Sequence, residues 1–350
     1  MKLLILKPSS LGDVIHALPV LRLIKRQRPH WQVHWWIAQS LAPLLQNDPD
    51  LTAVHPFRRR GWGTPTGLAR GVRQLGQLHR ERFDVVLDLQ GLARSAAFSW
   101  AARAGLTIGL HQHREGAAVA YDVAVERPSP NTHSVDWCRA VLPHLGLENN
   151  DDFEWMPRRD DPLPEGYEVG QRWLALCPGA RWDNKRWPME SFETLARNLL
   201  MEQGDLRVVV LGGKEDAALG ARLGAVGARC VDKTGQTTLP EMVEWIRASE
   251  AMVTNDTGPM HVAAALGKPV VALFGPTGSG KTTMLETIAG LQHALQGEIR
   301  VGSHLLFSSR AGVDVPVWQR RVGYVPQDVA LFPHMDVRRN ITYGHSPSSV

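Results

Sequence analysis

The stretch VTNDTGPMHVAAALGKPVVALFG, residues 253–275, decides the fold class because it encodes a strand, a polar loop, a helix and a second strand in succession. An apolar run ends at Asn255, and Pro259 suits the first turn of the helix that follows. Gly267 and Pro269 end that helix. The free amides and the positive dipole of such a helix start stabilise an anion by roughly 1 kcal/mol. The stretch therefore predicts a βα unit with an anion site.

The same alternation continues along most of the chain. Short β-branched or Leu-rich runs are followed by glycine-bearing turns and helical periodicity, which is typical of βα units around parallel sheets. Strands are predicted at 3–6, 33–37 and 85–89, and within 173–180, 206–213, 228–235, 251–258 and 269–275. The first helix is predicted at about residues 13–27. We therefore expect an α/β protein with two Rossmann-like domains, residues 1–156 and 171–277, joined by a Pro-rich and charged linker at 157–170.

The composition is that of a folded globular chain. Of its 350 residues, 43% are hydrophobic and 21% charged, and no apolar run approaches the roughly 18 residues of a membrane span. The three cysteines, Cys138, Cys177 and Cys230, lack CxxC spacing, which argues against a disulfide framework and a zinc site. The opening apolar stretch is too short for a signal peptide, and a net charge of +4 is too small to indicate nucleic-acid binding. We expect a cytoplasmic protein without a metal centre.

The loop between the first predicted strand and helix is KPSSLGD, residues 7–13. Gly12 permits a close backbone approach, and Asp13 places a carboxylate at a helix start that is otherwise suited to anions. Asp13 is either a simple helix cap or a general base, and the local sequence favours neither.

Two further loops carry charge at the ends of predicted strands. The loop CPGARWDNKRWP, residues 177–188, offers Arg181 and Lys185 to a diphosphate, the alternative being a solvated loop whose cations face water. In the loop after Asn255, Asp256 and Thr257 either cap the helix or help to bind the anion.

These segments resemble glycosyltransferase family 9, the ADP-heptose:lipopolysaccharide heptosyltransferases. The resemblance is carried, in order from residue 1 to about 277, by LKPSSLGDVIHALPVL, LDLQGLARSAA, PGARWDNKRWP, LGGKEDAAL and VTNDTGPMHVAAALGKPVVALFGPT. It implies a GT-B fold of two Rossmann-like domains and an inverting transfer of heptose from ADP-heptose. It also implies an inner-core lipopolysaccharide acceptor, Kdo-lipid A, met at the cytoplasmic face of the inner membrane by peripheral contact.

The resemblance implies roles for residues on the donor side. Asp13 matches the family's catalytic base, which takes the proton of the acceptor hydroxyl as that hydroxyl attacks the anomeric carbon. Lys185 matches the diphosphate-binding lysine, and together with helix amides it would meet the leaving-group charge without a metal or other cofactor. The donor-binding helix start is matched by Asp256, Thr257, Gly258 and His261. Glu215 matches the acidic residue that holds the ribose, with Asp216 as the alternative.

On the acceptor side, the resemblance implies a set of arginines that bind acidic sugars and phosphates. These arginines are Arg58, Arg59, Arg60, Arg94 and Arg114. Guanidinium forks suit carboxylates. The alternative for the run 58–60 is a solvated charge cluster.

A second motif interrupts the family pattern at its end. Residues 275–282, GPTGSGKT, satisfy GxxxxGK[ST] between the apolar VVALF and the helical MLETIAGL, which is the context of a P-loop. Its matching residues are Gly275, Gly280, Lys281 and Thr282, and the ligand that such a loop takes is ATP with Mg²⁺.

From this motif to Gly344 the tail resembles an ABC transporter ATPase of the molybdate-importer kind, with Gln327 at the Q-loop position. Residues 275–350 contain no LSGGQ signature, Walker B carboxylate or switch histidine, so ATP hydrolysis is not expected from this chain. Both families have the sequence ALFGP in a strand. We infer that a crossover joined the two family sequences there, either naturally or in sequence assembly. The leading hypothesis is a heptosyltransferase; the alternatives are an ATP-binding fragment of an importer and an inactive fusion.

Overall fold

The computed structural model describes residues 1–58, 65–111, 116–129, 132–151, 153–159, 161–274, 287, 298–301, 304–316 and 319–320. The chain divides into two compact units. The first comprises Met1–Arg181 and Arg186–Leu273, and the second comprises Trp182–Lys185 and Phe274–Val350.

The first unit begins with a parallel sheet of six strands in the order β3-β2-β1-β4-β5-β6. Its strands are β1 (Lys2–Leu6), β2 (Gln32–Ala38), β3 (Ala53–Phe57), β4 (Val85–Asp88), β5 (Leu106–His111) and β6 (Val123–Glu126). The helices along this part of the chain are α1 (Leu11–Gln27), α2 (Ala42–Leu45), α3 (Pro65–Arg80), α4 (Ala93–Ala102) and α5 (Ser134–Arg139). Every side chain from Leu3 to Leu6 is buried, as expected for a central strand covered on both faces.

The second sheet of this unit has five parallel strands in the order β11-β10-β7-β8-β9. Its strands are β7 (Arg172–Cys177), β8 (Leu206–Val210), β9 (Cys230–Asp232), β10 (Ala251–Asn255) and β11 (Val270–Leu273). Its helices are α6 (Met189–Glu202), α7 (Ala217–Gly224), α8 (Leu239–Ala248) and α9 (Gly258–Ala265). The predicted α/β class with two Rossmann-like sheets is confirmed.

The segment that joins the two sheets is anchored at both sides. Arg22 of α1 forms a buried bidentate ion pair with Asp48, at 2.6 Å, and its Nε donates to the carbonyl of Trp155. From the other side, Arg247 of α8 donates to the carbonyl of Met156. Helices α1 and α8 therefore both bind the backbone at residues 155–156, where the chain passes from the first sheet toward the second.

The second unit contains an antiparallel sheet of three short strands: β12 (Glu298–Val301), β13 (His304–Ser308) and β14 (Val313–Asp314). Arg320 fastens it by donating to the carbonyls of Val315 and Thr287 and to the carboxylate of Asp314.

One predicted boundary differs from the structure. Helix α1 begins at Leu11, two residues before the predicted start at Asp13. Ser10 has extended backbone geometry and is the N-cap, and its backbone N–H donates to Asp13 Oδ2 at 2.7 Å. This bond satisfies a backbone donor at the helix start, and the Asp13 carboxylate also suits the positive end of the helix dipole. In the described part of the chain, no helix has the length and apolar character needed to cross a bilayer.

Candidate active site

The predicted base lies at the carboxyl end of the first sheet. Asp13, partly buried in the first turn of α1, accepts hydrogen bonds at Oδ2 from both the backbone N–H and the hydroxyl of Ser10, at 2.7 and 2.8 Å. Its Oδ1 accepts no hydrogen bond from the described residues. Asp13 therefore caps the helix with one oxygen and keeps the other for a different partner, so the two roles that the sequence left open are compatible.

The start of α1 lies directly against the start of α9 from the second sheet. A Cβ added to Gly12 would fall 2.5 Å from Cδ2 of His261, and a Cβ added to Gly258 would fall 2.8 Å from Cδ2 of Leu11. Only glycine leaves room for such an approach at either position. Two helix N-termini, one from each sheet, therefore meet beside Asp13.

Three histidines pack together at this junction. Nε2 of His16 lies 3.1 Å from Nδ1 of His261, and the ring centroid of His133 lies 5.2 Å from that of His16. Burial, helped by the proximity of His261 and His133, lowers the pKa of His16 to about 4, although Asp13 acts in the opposite direction. His16 is therefore neutral at physiological pH.

The predicted donor-side residues follow the carboxyl ends of adjacent strands of the second sheet. Exposed Arg181 follows β7, exposed Glu215 follows β8, and the loop of Asp256 and Thr257 leads from β10 into Gly258 of α9. Such an edge is where open α/β sheets bind ligands. Lys185 ends a short 3₁₀ turn, Asp183–Lys185, and is half-buried.

The two acidic candidates after β8 have different surroundings. Asp216 is buried, its Oδ2 accepts from the backbone N–H of Gly213 at 2.9 Å, and its carboxylate fills the space beside Gly179. Burial raises the pKa of Asp216. Glu215 is exposed at the same turn. Asp216 thus shapes the turn, whereas Glu215 is the carboxylate that a ligand can reach.

On the first sheet, Arg94 borders a cavity of about 230 Å³ near the Asp13 loop. The cavity is lined by Pro8, Ser9, Trp36, Phe57, Gln90, Leu92, Arg94 and Ser95. Trp36 and Phe57 stack with ring centroids 3.9 Å apart and form an apolar wall.

Arg58, exposed after β3, donates through Nε to Oε1 of Gln39 at 2.6 Å. A larger cavity, of about 420 Å³, lies along α2 and β3 and contains none of the predicted site residues.

Several predicted residues lie outside the described residues. They are Arg59, Arg60 and Arg114 of the acceptor set, and Gly275, Gly280, Lys281, Thr282 and Gln327 of the P-loop segment. Within the described ranges, no group of three or more His, Cys, Asp or Glu side chains is arranged to hold a metal ion. The absence of a metal requirement stays a prediction.

The family model for glycosyltransferase family 9 (heptosyltransferase) matches residues 72–299, well over half of the chain. The chain belongs to glycosyltransferase family 9. It is similar to lipopolysaccharide heptosyltransferase 2 of Salmonella typhimurium, with 27% identity over 347 aligned positions that cover 87% of this chain and 93% of that protein. Among solved structures it resembles the E. coli heptosyltransferase WaaC with ADP-2-deoxy-2-fluoro heptose, at a TM-score of 0.68 and 24% identity, covering 80% of this chain and 90% of that one.

The end of this family 9 transferase has a second similarity. The ABC transporter model matches residues 266–349 and overlaps the family 9 match at 266–299. The molybdenum import ATP-binding protein ModC of Vibrio parahaemolyticus is 48% identical over 75 residues, which are 21% of this chain and 20% of that protein. The resemblance to both families is confirmed.

Three residues that support the candidate site of this family 9 transferase were not predicted from the sequence. The first is His16, because a histidine on a helix gives no local sign of its partner. The second is buried Asn255, which accepts at Oδ1 from the N–H of Trp187 and donates from Nδ2 to the carbonyl of Pro178, so it ties down the loop that carries Arg181. A polar residue ending an otherwise apolar strand was the available signal.

The third missed residue is Asp88, which is fully buried at the end of β4. It accepts hydrogen bonds from the Tyr121 hydroxyl at 2.7 Å and from the backbone N–H groups of Gln90 and Gly91. Burial raises the pKa of Asp88, although these donors favour its ionised form. The residue thereby sets the turn before α4, from which Arg94 projects.

Proposed function

We propose that this family 9 transferase moves heptose from ADP-heptose to the inner core of lipopolysaccharide. The observation that supports the proposal is the close packing of Gly12 against His261, because Asp13 follows Gly12 at the start of α1 and His261 lies in the first turn of α9. The family assignment and the names of the relatives support the choice of sugar and acceptor.

Asp13 is proposed as the general base. As the acceptor hydroxyl oxygen forms a bond to the anomeric carbon, the bond from that carbon to the ADP oxygen breaks, and the hydroxyl proton moves to Asp13 Oδ1. Displacement from the face opposite the leaving group inverts the anomeric centre. Base catalysis of this kind typically contributes 10²- to 10⁴-fold to the rate.

The negative charge that develops on ADP is proposed to be stabilised by the backbone N–H groups at the start of α9 and by the side chains of Arg181 and Lys185. Backbone N–H groups at a helix N-terminus and cationic side chains act as preorganised stabilisers of such a charge. Glu215 is proposed to accept from the ribose hydroxyls, because its carboxylate is exposed after β8 whereas that of Asp216 is engaged in the turn.

The acceptor is proposed to enter beside Ser9, where Arg94 borders the cavity of about 230 Å³. Arg58, Arg60 and Arg114 are proposed to join Arg94 in binding the carboxylates and phosphates of Kdo-lipid A, for which guanidinium forks are well suited. Because the acceptor is a lipid, we further propose that the protein contacts the inner membrane peripherally from the cytoplasm.

The alternative function, an ATP-binding fragment of an importer, is not favoured, since its match covers 266–349 whereas the family 9 match covers 72–299. Binding of ATP with Mg²⁺ at residues 275–282 stays a prediction.

The proposal is tested by incubating the full chain with ADP-heptose and deacylated Kdo-lipid A core, and following addition of one heptose by mass spectrometry and the product anomer by NMR. We expect inverted product from the wild-type chain and from Lys281→Ala alike. Absence of transfer, together with ATP binding that Lys281→Ala abolishes, would support the importer function instead.

A further inference from the structure

His16 lies at the junction of the two sheets without belonging to any ligand-binding loop. It occupies the same face of α1 as Asp13, three residues away, and its Nε2 contacts Nδ1 of His261 at 3.1 Å. The two ring centroids are 4.5 Å apart in an edge arrangement. His16 is therefore a side chain of α1 that makes a polar contact with α9.

The hydrogen bond between two neutral imidazoles needs one donor and one acceptor. Nδ1 of His16 is buried and has no hydrogen-bond partner among the described residues. If Nδ1 carried the proton, a buried N–H would be left without an acceptor, which costs more than a bare lone pair. The proton of His16 is therefore on Nε2, which donates to Nδ1 of His261.

This donation decides the state of His261 in turn. Because its Nδ1 accepts, the single proton of a neutral His261 must lie on Nε2. The Cδ2 and Nε2 edge of that ring faces Gly12, next to Asp13, since a Cβ on Gly12 would fall 2.5 and 2.9 Å from those two atoms. A hydrogen-bond donor is thus presented at the place where the two helix starts meet.

We propose that His16 is a positioning residue, which holds the proton of His261 on Nε2 and so keeps an N–H donor aimed at the junction of the α1 and α9 starts. The part of this inference that concerns catalysis rests on the proposed function, because it takes the ligand at that junction to be the nucleotide sugar. The tautomer itself does not depend on which ligand binds.

The surroundings of His16 keep it in the required neutral form. His261 of α9, His133 before α5, and Lys7 directly after β1 all disfavour a charged ring, as does burial, and Asp13 alone favours it. His133 stays in place because its Nδ1 accepts from the backbone N–H of Val135. The donation from His16 therefore persists at neutral pH and fails only under acidic conditions.

The test uses the full chain with ¹⁵N-labelled histidine and long-range imidazole correlation spectra, which report which ring nitrogen is protonated. His16→Gln keeps an N–H group near the position of Nε2, whereas His16→Leu removes it. His144→Leu, at an exposed histidine, is the matched control. We expect His261 to be protonated at Nε2 in the wild-type chain, in His16→Gln and in the control, and to become a mixture of tautomers in His16→Leu.

Binding and kinetics give the second readout. In His16→Leu we expect the Kd for ADP or the KM for ADP-heptose to rise by about tenfold, the loss typical of one hydrogen bond, with rescue by His16→Gln. Protonation of His261 at Nδ1 in the wild-type chain, or an unchanged tautomer in His16→Leu, would overturn the inference. If the tautomers behave as expected but no heptose is transferred, the proposed function fails and the positioning of His261 stands.

Discussion

Asp13 has two carboxylate oxygens in different surroundings, and this division is compatible with the proposal that a capping residue also serves as the base. Oδ2 is held by Ser10, which fixes the orientation of the whole group, while Oδ1 has no partner among the described residues. A base that is held in place loses little conformational entropy when it accepts a proton in the transition state. At this scale the residue type was predictable from the sequence, but only the structure shows that Ser10 engages Oδ2 and that no described residue donates to Oδ1.

The neighbouring carboxylates Glu215 and Asp216 can be separated experimentally. In Glu215→Ala we expect the Kd for ADP to rise by about tenfold with little change in stability, since an exposed acceptor of ribose hydroxyls is lost. In Asp216→Ala we expect the free energy of unfolding to fall by about 1–3 kcal/mol, because the N–H of Gly213 loses its partner. Calorimetry measures the Kd for ADP, and urea denaturation measures the free energy of unfolding. A weaker affinity for ADP in Asp216→Ala with an unchanged affinity in Glu215→Ala would show that Asp216 is the ribose ligand.

Among the elements, the βα units were predictable and the contact between helices was not. Apolar runs, turn glycines and helical periodicity are local signals, so the strands and the carboxyl-edge loops followed from the sequence. The contact of His16 with His261 spans 245 positions and has no periodic signature. Gly12 and Gly258 indicate a close approach, but a glycine does not identify what approaches it.

The close approach of α1 and α9 predicts a selective effect of adding one methyl group. Gly12→Ala should displace the His261 ring, because the new Cβ would lie 2.5 Å from Cδ2. We expect heptose transfer to fall by at least tenfold, with a destabilisation of about 1–3 kcal/mol for overpacking. Gly76→Ala in α3 is the control, since nothing lies within 4 Å of its added Cβ, and it should stabilise the helix by up to about 1 kcal/mol. Equal activity of the two variants would show that the helix starts are not tightly packed.

For the whole molecule, three histidines with lowered pKa values, His16, His34 and His55, make stability depend on pH. The pKa of His34, like that of His16, is lowered to about 4 by burial and by a neighbouring histidine, here His55 at 2.9 Å. Between pH 6.5 and 4 the unfolded chain binds protons that the folded chain does not, so stability falls as the pH falls through this range. His16 and His34 each contribute up to roughly 3 kcal/mol of this loss.

Urea denaturation at pH 7, 5.5 and 4.5 measures this dependence. We expect the free energy of unfolding to decrease steadily toward pH 4.5, and His34→Gln to flatten the decrease by removing one of the three titrating rings. A slope that is the same in His34→Gln as in the wild-type chain would show that His34 is not protonated on unfolding in this range.

In the whole chain, the matches to the two families overlap at residues 266–299. Strand β11 therefore lies within both matches. Strand β11 pairs with β10 in the second sheet, as the family 9 pattern predicts for VVALF. The predicted P-loop begins just after this strand, at Gly275, which lies outside the described residues. Sequence comparison finds both families, whereas the described structure assigns this strand to the Rossmann-like sheet.

The central proposal for this protein is that Asp13 acts on a nucleotide sugar bound across the junction of α1 and α9. The most direct measurement is the transfer rate of Asp13→Asn at saturating substrates, together with its affinity for ADP-heptose by calorimetry. We predict that the maximal transfer rate falls by roughly 10²- to 10⁴-fold while the affinity changes by less than about threefold, because the amide still caps the helix but takes up no proton. Transfer at the wild-type rate, or a loss explained entirely by weaker donor binding, would contradict it.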